Sequence, residues 1–117
     1  MKRIDFRPPP AIIAAARRGL DLYSRGFGGS GLRPETIAWA RKVAKGQPID
    51  AAKAVKGRAW HRRHAVDFRP GWQGRSKKID GREVWSERPT PGYVANLLWF
   101  GSAGRVWFER VCRDMGR

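Results

Sequence analysis

The sequence predicts a mainly α-helical protein: about five short helices in one compact domain over residues 1–117, with a long loop or small β-hairpin between helices three and four. Three observations predict it. Apolar residues recur at intervals of three and four along several stretches, the spacing of one face of a helix. Gly- and Pro-rich segments separate those stretches. The chain has 117 residues, 41% of them hydrophobic, which is enough for one core and too little for two.

The first helix follows Pro8-Pro9-Pro10, because proline suits a first turn whose N–H groups have no helical partner. Ile12, Ala16, Leu20 and Tyr23 form its apolar stripe, with Arg17, Arg18 and Asp21 opposite. Ser24 to Gly31 carries four glycines and reads as a loop. A second helix follows Pro34. Its inner face is Ile37, Ala40, Val43 and Ala44, and Gly46 with Pro48 stops it.

Asp50 is placed to cap a third helix from Ala51 to about His64. Hydrophobicity puts Ala52, Val55, Ala59 and Val66 on its inner stripe, and Gly57 weakens it by up to ~1 kcal/mol relative to alanine. Asp80-Gly81, between Lys78-Ile79 and Arg82-Glu83-Val84-Trp85, is a two-residue hairpin signal. Thr90 caps a fourth helix with Pro91 at its first position, and Val94, Leu97, Leu98, Trp99 and Phe100 leave it little polar face. Gly101 ends it. Ser102 then caps a fifth helix, with Trp107, Phe108, Val111, Cys112 and Met115 inward and Arg105, Glu109, Arg110 and Arg113 outward. Asp5-Phe6-Arg7-Pro8 recurs as Asp67-Phe68-Arg69-Pro70 without a longer repeat, which points to two similar turn entries.

The charge is the strongest pointer to function. Twenty-five Lys and Arg oppose ten Asp and Glu, a formal +15, and six tryptophans accompany them. So large an excess opposes compaction by self-repulsion and fits a polyanionic partner. Cys112 is the single cysteine, so no internal disulfide forms. The start, Met1-Lys2-Arg3 followed by Asp5 and three prolines, lacks the apolar core of a signal peptide. The longest apolar run, Val94 to Phe100, is far too short to span a bilayer.

Several phrases occur together: Arg17-Arg18-Gly19-Leu20, Thr36-Ile37 to Ala44-x-Gly46, Arg63-His64-x-Val66-Asp67, Pro70-Gly71-Trp72, and Gly92-Tyr93-Val94-Ala95-x-Leu97-Leu98-Trp99-x-Gly101-x-Ala103-Gly104-Arg105-x-Trp107. In this order they resemble a small basic helical module of tailed-bacteriophage genomes, of uncharacterised function and often near head-morphogenesis genes. The resemblance runs from about residue 14 to 112 and is most specific in the last block. The chain departs from the pattern at Trp60-His61-Arg62, where Phe-Phe-Ala is usual before Arg-His, and at Phe100, where glycine is common. The resemblance implies a phage protein of the host cytoplasm or the virion and assigns no catalytic residue.

Candidate binding residues lie in three basic clusters. On the third helix Lys53, Lys56, Trp60 and His64 fall along one side, joined by Arg62 and Arg63, so that phosphates can be neutralised beside an aromatic face. The competing reading is a solvated face whose Trp60 packs under residues 67–89. Arg75, Lys77 and Lys78 form a second cluster, and Arg41, Lys42 and Lys45 a third on the outer face of the second helix. Three patches on separate elements favour a broad, charge-driven surface over base readout.

Catalytic and metal chemistry find less support. His61, His64 and Asp67 are too few ligands for zinc, and Arg62 and Arg63 intervene. Cys112 reads as a buried, inert thiol. Asp80, Glu83 and Glu87 alternate with Lys78, Arg82 and Arg88, as in ordinary ion pairing. Gly26 to Gly31 lacks the Gly-Lys-Ser/Thr ending of a phosphate loop. Trp99, Trp107 and Phe100 are expected in the core and Trp39 at the edge of its face. Trp72 and Trp85 either clamp the long loop or offer an exposed platform. The expectation is therefore a non-enzyme without cofactor or metal that binds nucleic acid, DNA with weak sequence preference, and has no membrane role. The alternatives are a structural virion protein, head-associated or connector, contacting an acidic phage partner, and an inhibitor of a host nucleic-acid enzyme. Trp and Arg on several faces also suit a homo-oligomer.

Overall fold

The computed structural model describes residues 3–65, 74–79 and 82–117. Among them are five helices and one antiparallel strand pair: α1 (Pro10–Ser24), α2 (Pro34–Ala44), α3 (Ala51–His64), β1 (Gly74–Ile79), β2 (Arg82–Pro89), α4 (Pro91–Leu98) and α5 (Gly101–Asp114). The fold is mainly α, with the small hairpin between the third and fourth helices. Asp80-Gly81 lies outside the described residues, but the register Ile79↔Arg82 and Lys78↔Glu83 runs up to it.

Local chemistry sets most boundaries. Proline occupies the first turn of α1, α2 and α4, where no hydrogen bond is lost. Asp50 Oδ1 accepts the Lys53 N–H at 2.7 Å, and Thr90 Oγ1 accepts the Tyr93 N–H at 3.1 Å. Each oxygen satisfies a backbone donor that the first helical turn leaves unpaired. Gly46, at φ 81°, ends α2 by donating to the Val43 carbonyl. Ser102 is not the cap expected for α5. Phe100 holds that place with φ 75°, Gly101 follows at φ 66°, and the Gly104 N–H donates to the Phe100 carbonyl. A left-handed phenylalanine costs about 1–2 kcal/mol in backbone energy. Full burial of its ring against Trp107 and Phe108 offsets that cost.

Two hydrophobic clusters form the core, and Ala15 packs against both. One joins Ile12, Val43, Ile49, Phe100, Phe108 and Val111; the other joins Leu22, Ile37, Val94, Leu97 and Leu98. α1 contacts α2, α4 and α5, and α3 packs on α5. Gly19 permits the α1–α4 approach, since a Cβ there would lie 3.0 Å from the Leu97 backbone. The expected α1 stripe is accordingly rotated: Gly19 and Leu22 are buried, Leu20 is half-buried and Tyr23 is exposed. On α5, Trp107, Phe108, Val111 and Cys112 are buried as expected, while Met115 is half-buried. The first copy of the Asp-Phe-Arg-Pro echo forms an exposed Asp5–Arg7 pair, and the Phe6 carbonyl accepts the Ile49 N–H at 3.0 Å. The second copy, Asp67–Pro70, lies outside the described residues, as do Val66 and Trp72.

The largest correction concerns α3. Its buried positions are Lys53, Ala54, Gly57 and His61, whereas Ala52 and Ala59 are exposed and Val55 is half-buried. The helix turns this way because Gly57 faces the Phe108 ring of α5, and a Cβ at Gly57 would collide with that ring. Close packing outweighs the weak hydrophobicity of two alanines and a valine. Gly57→Ala is therefore expected to destabilise the protein by about 1–3 kcal/mol, despite alanine's better helix propensity. A urea titration checks this; a variant as stable as the parent contradicts the packing.

Candidate nucleic-acid interface

α3 meets α5 along its buried face, and its other side looks across a gap toward α2. The gap is a groove of about 1060 Å³. Arg33, Glu35 and Thr36 line it from the start of α2, and Lys53, Lys56, Trp60, Arg63 and His64 line it from α3. Thr90, Ala95 and Trp99 close it from α4 and the turn after it. Five residues expected to bind therefore converge: Lys53, Lys56, Trp60, Arg63 and His64. They converge because intervals of three and four keep side chains on one side of a helix.

The groove contains a graded series of side chains. The His64 ring lies 4.5 Å from that of Trp60, and Trp60 stacks on Trp99 at 5.5 Å with 12° between planes. Lys53 Nζ sits 3.5 Å from the Trp99 ring centroid, with Phe100 at 5.7 Å and Trp39 at 5.9 Å. Lys53 was expected as an exposed cation. It is instead 2% exposed, the one lysine among the buried described residues. Burial pushes its ammonium down from an ordinary 10.5 to about 7; Glu35 and Asp50 oppose that shift and Lys56 adds to it. Cation–π attraction to Trp99 compensates part of the lost hydration. Trp60 is half-buried and stacked on Trp99, a partner the sequence did not indicate. Trp99 itself was expected in the core and is half-buried on the groove.

The rim is cationic. Lys56 pairs with Glu35 at 3.0 Å across the groove, and its hydrogen bond and then its charge hold the Glu35 carboxyl below the usual carboxylate range. This exposed pair contributes little to stability, but it fixes the position of Lys56. Arg33 and Arg63 are exposed beside it.

Other expected residues lie elsewhere. Arg62 points away, making a two-pronged pair with Glu109 of α5 at 2.7 and 2.9 Å, so its charge is locally matched. Lys42 places Nζ 4.8 Å from the Trp39 ring, adjoining the Lys53 surroundings, and Lys45 is exposed just past α2. Neither lines the groove. Arg75, Lys77 and Lys78 stand on β1 opposite Ser86, Val84 and Glu83; their side chains lie outside the described residues, as do those of Trp85, Glu83 and Glu87.

His61 and His64 face different ways. His61 is buried, and its Nε2–H donates to the Trp99 carbonyl at 2.8 Å, pinning α3 to the end of α4; burial lowers its pKa, against the opposing effect of that hydrogen bond. Among the described residues no group of three His, Cys, Asp or Glu is placed to hold a metal ion, and no helix is long and apolar enough to cross a membrane. Cys112 is buried, which pushes its thiol up. Sequence reasoning missed Arg33, Glu35 and Trp99. Their only signal was indirect: Pro34 and Thr90 fix two helix starts, and both starts open onto this groove.

No protein family, curated protein or solved structure matches this chain.

The Lys53 charge has a testable consequence. Between about pH 7 and 10.5 the unfolded chain holds a proton on Lys53 that the folded protein mostly lacks. Stability attributable to this residue therefore rises with pH across that window. Lys53→Met is expected to raise stability by about 1–4 kcal/mol at pH 6. The gain should shrink as pH approaches 10.5. Thermal melts of both proteins across the window check the sign; a gain that grows with pH would contradict it.

Proposed function

We propose that this protein is a non-catalytic, nucleic-acid-binding phage protein that takes DNA with weak sequence preference. The observation that carries this reading is the convergence of Lys53, Lys56 and Arg63 with Arg33 around one aromatic-walled groove. Phosphate oxygens are the natural partners of such a cation set, because Lys and Arg give them charge-assisted hydrogen bonds. The surplus behind it is large: 25 basic against 10 acidic side chains over the whole sequence. Contacts of this kind release counterions and supply affinity that depends on charge more than on base identity.

The form of the surface supports weak sequence preference. A recognition helix must protrude to enter a major groove and bring side chains to base edges. α3 instead packs on α5 with one side and faces a groove of the protein itself with the other. The phage origin rests on the sequence phrases alone.

If about six phosphates are contacted, the logarithm of affinity for duplex DNA should fall against the logarithm of salt with a slope of roughly −5. Replacing Lys56 and Arg63 together by glutamine should flatten that slope by about 2, since each phosphate contact contributes about 0.9. Arg62→Gln, paired to Glu109, should change it less. Fluorescence anisotropy at several salt concentrations measures all three. A slope unchanged by the double variant, or no binding at low salt, rejects the reading.

A further inference from the structure

Lys53 is almost fully buried, and its ammonium lies on the groove. It has three N–H donors. Its nearest recorded neighbours are aromatic faces: Trp99 at 3.5 Å, with Phe100 and Trp39 further off. No acceptor among the described residues hydrogen-bonds to Nζ, although the residue is 98% buried and lines the groove. The nearest carboxylate on the groove, Glu35, is held by Lys56 at the rim. An anionic oxygen that enters the groove can accept a charge-assisted hydrogen bond from Nζ.

We propose that the groove between α2 and α3 is a pocket for a phosphate monoester, such as a 5′-terminal phosphate of a DNA strand, seated on Lys53. This rests on the nucleic-acid reading above and names the part of the ligand that enters the groove. Two observations select a monoester over an internal phosphodiester. Lys53 lies at the bottom of the groove, so only a group that protrudes reaches it. A terminal phosphate protrudes; an internal one is flanked on both sides by sugars. The charge also fits. Four cations line the groove, Arg33, Lys53, Lys56 and Arg63, against the single carboxylate Glu35. With Lys56 matched by Glu35, Arg33 and Arg63 together with a Lys53 that is protonated on binding suit a dianion better than the single charge of a diester. The groove, at about 1060 Å³, has room for the attached nucleotide as well. A dianion beside Nζ also favours its protonated form, so binding restores the charge that burial suppresses.

The test compares short DNA duplexes that differ only in a 5′-phosphate or a 5′-hydroxyl, with a covalently closed circular duplex and deoxyadenosine 5′-monophosphate as further probes. The parent protein is expected to bind the phosphorylated end about ten- to a hundred-fold more tightly than the hydroxyl end, the worth of a charge-assisted hydrogen-bond set. Lys53→Met should abolish that preference, so that the phosphorylated and hydroxyl ends bind it with equal affinity. Lys45→Met, away from the groove, should weaken both duplexes equally. Equal affinity of the parent for the two ends, with circular DNA still bound, overturns the inference and leaves the nucleic-acid reading standing. A preference that survives in Lys53→Met overturns the assignment to Lys53. If no DNA binds, Lys53-dependent binding of the mononucleotide would keep the monoester pocket and reject the nucleic-acid reading; no binding of either probe rejects both.

Discussion

The contact between Gly57 and the Phe108 ring is the constraint on which the functional face depends. A helix has one rotational phase, and every side chain inherits its direction from it. With no Cβ at Gly57, α3 lies close against α5, and that approach turns Lys53 and His61 inward. The same phase carries Lys56, Trp60, Arg63 and His64 toward α2. Two internal ties reinforce it: Asp50 caps the start of α3, and His61 bonds the Trp99 carbonyl near the far end. The Trp99 atoms thus serve both structure and site, the carbonyl holding α3 and the ring covering the Lys53 ammonium.

Burying a lysine in a protein with so large a positive surplus runs against stability. Self-repulsion and lost hydration both act against the charged form. The fold places the ammonium among three aromatic rings and leaves it without a hydrogen-bond acceptor among the described residues. Such an arrangement is more expensive than an apolar residue of similar volume in the same place. In the proposed phosphate pocket the same ammonium is the donor that meets the ligand. Stability and binding therefore pull in opposite directions at one side chain.

The tryptophans divide between these roles. Trp107 is buried in the core, its ring tilted against those of Phe100 and Phe108. Trp39, Trp60 and Trp99 are half-buried, and each meets a cation or another ring. The aromatic richness of this chain is thus partly a device for holding cations near apolar surroundings. Ion pairs among the described residues include Asp5–Arg7, Asp21–Arg25, Glu35–Lys56 and Arg62–Glu109, one acid to each base. Few carboxylates are present to compete with an external anion.

The sequence by itself determined most helix starts and the end of α2, because those choices are local. Proline in three first turns, Asp50 and Thr90 as caps, and Gly46 as a stop all act within a few residues. It also determined that Lys53, Lys56, Trp60 and His64 share one side of α3, since periodicity alone fixes that. The direction in which that side faces was decided only by tertiary packing. The few apolar residues of α3 are small and spread around the helix, so hydrophobicity could not choose the phase, whereas contact between a glycine and an aromatic ring 51 residues later did. The left-handed Phe100 and the pairing of Lys56 with Glu35 are of the same kind. Each depends on residues distant in the chain, and no local pattern carries that information.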